Sequence, residues 1–311
     1  MTDIKALILC NNPIAIPGIR EFLFYGKVAA VATTTKNKEM QHILTSVLEG
    51  TGVPLLLFTK KEFNNELKGA LEMYQPDVVL MMTFPFIIKE ELLSLPPKGF
   101  INFHYGLLPQ CRGPQPILWH MLNNDADCGI TVHKVDAGID TGDIILQEKL
   151  PIESSDTYGT LQSKLAYLGA KQAAILLKII SYGNIVPARK QDETKAAYYE
   201  MPTAEQLSIR WSSMSAEQIT RLVNACNPWN KGAGTVIRDW VIGITGAETT
   251  GDCDADHAKP GTILACNEEE GLLVKTADQK KLKVTIIYTN EGFFPGHRLA
   301  AFGIGAGMVF G

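Results

Sequence analysis

No run of apolar residues in this 311-residue chain approaches the roughly 20 needed to cross a bilayer, and the opening Met-Thr-Asp-Ile-Lys has no charged segment leading into an apolar stretch. The expectation is a protein with no membrane partner, working in the cytoplasm. The six cysteines include no Cys-x-x-Cys pair and no regular framework, which argues against a disulfide scaffold and against a structural zinc. His42, His120, His133, His257 and His297 are scattered without ligand spacing, so no metal is expected either. Basic residues are not in excess: the formal net charge of -4 gives no reason to expect DNA binding, although it does not exclude a local basic patch. The loop after the first apolar run, Cys10 to Ile14, holds no glycine, which argues against a dinucleotide site. Gly303-Ile-Gly-Ala-Gly307 has the letters of a nucleotide loop, but no helix follows it to meet a pyrophosphate.

At 46% hydrophobic and 20% charged, the composition is that of a globular chain, and its length is more than one core usually organises. Short apolar runs alternate with helical spacing through the first half: strands at Ala6 to Cys10, Val28 to Ala32, Val53 to Phe58, Asp77 to Met82 and Gly99 to His104, then Gly129 to Val135 and Ile144 to Leu150. This order predicts an α/β domain, a Rossmann-like and mostly parallel sheet over residues 1–182, closed by a long helix to Tyr182. Residues 183–206, polar and punctuated by proline, read as a surface linker. Over 207–311, one helix to Cys226 and five short strand-like runs predict a smaller, OB-like β-barrel, with Gly246 to Lys259 as an exposed acidic loop.

Chemistry concentrates in Ile101-Asn-Phe-His-Tyr-Gly-Leu-Leu-Pro109 and Gly138-Ile-Asp-Thr-Gly-Asp143. Asn102 and His104 fall at the carboxyl end of the fifth strand, where open α/β sheets place ligands. Asp140, delivered from the carboxyl end of the sixth strand, can face His104 if the two strands are neighbours. An amide, an imidazole and a carboxylate can hold a reacting carbonyl, move a proton and fix the tautomer of the group that moves it. A lone histidine at a strand end is usually structural; this one has an asparagine two residues away and an aspartate in register.

These residues, with Arg112-Gly-Pro-Gln-Pro116, Gly129-Ile-Thr131 and Asp136-Ala-Gly-Ile-Asp140-Thr-Gly-Asp143, resemble the folate-dependent formyltransferase family. That family includes methionyl-tRNA formyltransferases and sugar-nucleotide amine formyltransferases. Trp211 to Ala216, Asn227-Pro-Trp229 and Lys259-Pro-Gly-Thr262 resemble the start of its C-terminal barrel domain. The resemblance implies transfer of a formyl group from 10-formyltetrahydrofolate, as co-substrate, to a primary amine, with Asn102, His104 and Asp140 catalytic. It also implies that Gly106, Leu107, Leu108 and Pro109 contact folate, and that Phe84, Ile87 and Ile88 form an apolar pterin loop. Asp136 goes with the folate set, although an aspartate beside a turn also shapes backbone through its side chain, the reading preferred for Asp143. Arg112 is placed equally as a clamp for an anion or as a donor that stabilises its own loop.

The acceptor is read from what is missing. Methionyl-tRNA formyltransferases usually carry a long basic insertion after the second strand; here that stretch is only Thr33 to Glu39, without arginine. Affinity for tRNA draws on clustered Lys and Arg, yet from Glu200 to Gly311 Asp and Glu outnumber them. The preferred partner is therefore a small amine, an amino-sugar nucleotide or amino acid derivative, with tRNA kept as the alternative. A third reading, a non-catalytic folate or RNA binder, leaves the intact Asn102, His104 and Asp140 without a purpose.

Overall fold

The apolar run Lys5–Cys10 becomes β1, five of whose six residues are buried, as a strand covered on both faces requires. It is the third strand across a seven-stranded sheet in a computed structural model that describes residues 3–182, 186–253, 255 and 257–311. The other strands are β2 (Lys27–Thr34), β3 (Leu55–Phe58), β4 (Val78–Met82), β5 (Phe100–His104), β6 (Asp127–Lys134) and β7 (Ile144–Pro151). Their order is β3-β2-β1-β4-β5-β6-β7. The first five run parallel, joined by helices α1 (Ile16–Tyr25), α2 (Lys38–Leu48), α3 (Phe63–Tyr74) and the single turn α4 (Glu90–Leu93). Pro17 sits in the first turn of α1, where its missing N–H costs nothing, and the Asn37 side chain caps α2 by accepting from Met40 N.

The last two strands are the antiparallel part of this mostly parallel sheet: β6 is antiparallel to β5 and β7 antiparallel to β6. The link from β5 to β6 contains one helix, α5 (Pro116–Leu122), of seven residues. The carboxyl ends of β5 and β6 therefore point in opposite directions, and Asp140 cannot reach His104 from a shared edge. The described residues end the long helix α6 (Tyr158–Tyr182) at Tyr182; the expected start of the linker, 183–185, lies outside them.

The chain divides into two compact units, one of Met1–Pro116, Asp127–Pro151 and Gln162–Glu200, the other of Ile117–Ala126, Ile152–Leu161 and Met201–Gly311. Residues 186–200, read from sequence as surface linker, thus belong to the first unit. The second unit carries α7 (Ala216–Ala225), started by a capping box between Ser215 and Gln218. Its strands are β8 (Ala233–Ile237), β9 (Trp240–Asp252), β10 (Ile263–Asn267), β11 (Gly271–Lys275), β12 (Lys280–Thr289) and β13 (Gly292–Pro295). All neighbouring pairs are antiparallel, in the order β10-β11-β12-β9-β8 with β13 beside β12. The stretch expected to begin an acidic loop at Gly246 instead continues β9 to Asp252, because Thr249 and Asp252 find ladder partners in Leu282 and Lys280. Asp254 and Asp256 of that loop lie outside the described residues. No helix among the described residues is long and apolar enough to cross a membrane.

Candidate active site

Side chains two apart on a strand share a face, so Phe100, Asn102 and His104 of β5 point the same way. Phe100 packs in an apolar cluster with Leu7, Leu9 and Val79. Asn102 and His104 continue that face toward the end of the strand. The antiparallel register sets His133 directly opposite Asn102 and Thr131 opposite His104, which brings both residues of β6 onto the same face.

The segment after β6 then returns over this face and lowers Asp140 onto it. The Asp140 Oδ2 atom lies 3.6 Å from His104 Nδ1 and accepts from Gly113 N at 2.9 Å. Its Oδ1 lies 3.5 Å from His133 Nε2 and accepts from Asn102 Nδ2 at 3.4 Å. Asp140 is a non-glycine residue in the left-handed region, φ 56°. Burial pushes its carboxyl up, but His104 by its charge, His133 by hydrogen bond and charge, and the Gly113 N–H together outweigh burial and hold the carboxyl well below the usual carboxylate range.

The carbonyl partners assign the imidazole protons. His104 Nε2 faces Cys111 O at 2.6 Å, and a carbonyl can only accept, so Nε2 carries hydrogen; Nδ1 faces the Asp140 carboxylate, a second acceptor, and is attracted to it when it carries hydrogen as well. His133 Nδ1 likewise donates to Lys134 O at 2.7 Å. Its Nε2 lies 3.1 Å from Asn102 Nδ2: bare in the neutral ring, it accepts from that amide, and only in the charged ring does it carry the hydrogen that Asp140 accepts. The resulting cluster has an amide oriented by an imidazole, a second imidazole oriented by a carboxylate, and a carboxylate facing all three.

Gly106 to Pro109 are fastened to the same face. Thr131 Oγ1 donates to Gly106 O at 2.7 Å and accepts from Leu108 N at 3.1 Å, while Gln147 of β7 donates to Leu108 O at 2.7 Å. A Cβ on Gly106 would come within 2.8 Å of His104 Nε2 and 2.5 Å of Pro116 Cβ, so only glycine fits there. Leu107 and Leu108 are buried. Phe84 joins an aromatic group with Phe63, 5.2 Å between ring centroids, and Phe86; Ile88 packs in the same cluster, and Ile87 is exposed. Asp136 accepts from Gly138 N and Thr141 Oγ1 and so shapes its own turn. Arg112 is buried and pairs with Glu193, at 2.6 Å, and with Gln191. The backbone of Asp143 accepts from Lys134 N.

Sequence reasoning passed over His133 as one more scattered histidine, and did not place Gln147 or Gln191 at all. The pairing of β6 with β5 was the observation that could have found His133. Among the described residues no group of three or more His, Cys, Asp or Glu side chains is arranged to hold a metal ion.

Residues 26–177 match the formyl transferase family model, and residues 202–292 match its C-terminal domain. The chain belongs to the formyltransferase family. It is an enzyme with that family's two-domain plan, a mostly parallel sheet followed by an all-antiparallel one. Solved structures of low sequence identity share the fold. HypX from Aquifex aeolicus, in complex with tetrahydrofolic acid, aligns with 96% of this chain at 15% identity and TM-score 0.65, but the chain spans only 47% of HypX. An N-formyltransferase from Helicobacter canadensis, in complex with folinic acid and dTDP-3-aminofucose, aligns with 90% of the chain over 98% of its own length, at 20% identity and TM-score 0.69. Glycinamide ribonucleotide transformylase 1 from Symbiobacterium toebii aligns with 61% of the chain over 95% of its own length, at 21% identity and TM-score 0.52.

Proposed function

We propose that the enzyme transfers the formyl group of 10-formyltetrahydrofolate to the primary amine of a small acceptor, an amino-sugar nucleotide or an amino acid derivative. The observation that carries the reading is the meeting of Asn102, His104 and Asp140 on one sheet face, with the carboxylate 3.6 Å from His104 Nδ1 and 3.4 Å from Asn102 Nδ2. In the reaction the amine nitrogen attacks the formyl carbon, charge builds on the carbonyl oxygen, and the C–N10 bond breaks. The amine loses a proton, N10 gains one, and the products are a formamide and tetrahydrofolate. Asn102 and His104 stabilise the oxygen, His104 by exchanging its Nε2–H bond from Cys111 O to the formyl oxygen. Asp140 orients the His104 ring through Nδ1, takes up the amine proton directly or through water, and that proton is returned to N10 as the C–N10 bond breaks.

The tetrahydrofolic and folinic acids of the HypX and Helicobacter structures support a reduced-folate donor. Gly106 to Pro109, Phe84, Ile87, Ile88 and Asp136 are the proposed folate positions. The bound dTDP-3-aminofucose supports an amino-sugar nucleotide as acceptor. The short connection after β2 supports it as well, since its polar groups are taken up by Asn11 of the loop after β1 and by Gln41 of α2. Thr33 and Thr34 donate to Asn11 Oδ1, Asn37 donates to Asn11 O, and Gln41 donates to Thr34 O and Thr35 O.

The test is tetrahydrofolate release from 10-formyltetrahydrofolate with a panel of amino-sugar nucleotides, amino acid derivatives and methionyl initiator tRNA. Turnover with a small amine and none with tRNA is expected. Turnover with the tRNA alone overturns the acceptor, and tight folate binding without turnover on any amine overturns the catalytic reading.

A further inference from the structure

Residues 186–200 have the composition of a linker, yet their backbone is laced to the site. Ile144 and Arg189 exchange two hydrogen bonds, Ala197 N donates to Pro109 O, Arg112 N to Ala197 O, and Tyr199 N to Arg112 O. A Cβ on Gly113 would fall 2.1 Å from Tyr199 O, so the strap lies directly on the glycine whose N–H holds Asp140. Gln191 is the side chain the strap turns inward, 9% exposed.

All of its hydrogen-bonding capacity is used. Its Oε1 accepts from Arg112 Nε at 3.3 Å and from an Arg112 terminal nitrogen at 2.9 Å. Its Nε2 donates to Asp140 O and Gly142 O, each at 2.8 Å. Guanidinium only donates and carbonyls only accept, so this amide has a single orientation. The Arg112 guanidinium is itself fixed by both carboxylate oxygens of Glu193. A closed ring results: Arg112 holds Gln191, Gln191 holds the Asp140 main chain, and the Asp140 carboxylate returns to Gly113, the neighbour of Arg112. Such a hold selects one backbone conformation at Asp140, whose left-handed φ is uncommon for a residue other than glycine.

We infer that Gln191 is a positioning residue for formyl transfer: through the carbonyls of Asp140 and Gly142 it keeps Asp140 in the left-handed conformation that aims its carboxylate at His104 and Asn102. The inference rests on the catalytic reading of Asp140 given above. The same geometry makes Arg112 an internal brace, its donors turned to Gln191 and Glu193.

Two measurements test it on the full chain. The first is hydrogen exchange of the Gly113 amide by NMR on glycine-labelled protein, which needs no acceptor. The second is kcat for tetrahydrofolate release, beside the folate dissociation constant and the thermal midpoint. Gln191→Met should speed Gly113 exchange and lower kcat, each by tenfold or more. Folate binding should stay within twofold and the midpoint within a few degrees. Combined with Asp140→Asn, it should lower the residual rate by less than a further twofold, since both changes disable one group. Should the methionine variant not fold, Gln191→Glu keeps the shape while turning an acceptor toward two carbonyls, and carries the same expectations. Unchanged Gly113 exchange, or a kcat loss of the same size with and without Asp140→Asn, overturns the inference. Near-normal turnover by Asp140→Asn alone instead overturns the catalytic reading, whatever Gln191 does to the Gly113 amide.

Discussion

Replacing Asp140 by asparagine removes one charge and almost no volume, so the loss it causes can be worked from the distances around one carboxylate. The His104 ring, charged while it donates to the reacting oxygen, lies 3.6 Å from Oδ2. At an effective dielectric of about 20, a full charge pair at that separation is worth about 4 to 5 kcal/mol. A neutral amide in the same place and some entering water return part of this, leaving about 3 kcal/mol, or between one and two hundredfold in kcat. Geometry adds to the loss. If the asparagine oxygen keeps Gly113 N, its NH2 is turned toward the NH2 of Asn102, and two donors face each other where an acceptor stood. The folate dissociation constant should move little, because the carboxylate acts on the reacting centre. The assay is tetrahydrofolate release at saturating donor with the best acceptor of the panel, alongside folate binding by titration. A kcat within tenfold of wild type would show that no full charge develops on His104, and would refute the reasoning.

Three further outcomes follow from the same site. His133→Leu takes away the acceptor that orients the Asn102 amide, costing about 1–2 kcal/mol, or roughly tenfold in kcat. His133→Gln restores an acceptor and should recover part of that, and equal rates for the two variants in steady-state assays would count against the assignment. Gly113→Ala meets both a φ of +98° and the Tyr199 carbonyl, so a loss of about 2–4 kcal/mol is expected in denaturant unfolding. The folded state holds the Asp140 carboxyl below its ordinary 3.8. Its contribution to stability is therefore complete above about pH 4 and is lost as pH falls below that. Unfolding free energies of wild type and Asp140→Asn should differ most near neutral pH and converge in acid; a constant difference would contradict the sign.

What was legible in the sequence is what local spacing encodes. The apolar runs of β1, β2 and β4 are continuous because both faces are covered, and such runs read the same way before and after folding. Asn102 and His104 stand two apart on one strand, so their shared face needs no tertiary knowledge. Asp140 was found through its motif, but by an incorrect route. A parallel β6 would have delivered it from the edge, whereas the antiparallel strand forces the chain to fold back across the face. The antiparallel register is also what sets His133 opposite Asn102, a pairing that the spacing of histidines along the chain does not reveal.

Gln191 was hidden for another reason. It stands 51 positions from Asp140 in a polar, proline-punctuated stretch whose composition signals exposure. Composition fails there because burial of that stretch is not driven by apolar area. It is compensated bond for bond: backbone to Pro109, Arg112 and Ile144, and one amide saturated by a guanidinium and two carbonyls. A polar segment that meets a complete set of partners can lie over an active site as tightly as an apolar one, and no periodicity announces it. The left-handed Asp140 is the local trace of that arrangement: a strained residue held by distant bonds, where a glycine could have relieved the strain but could not have supplied the carboxylate.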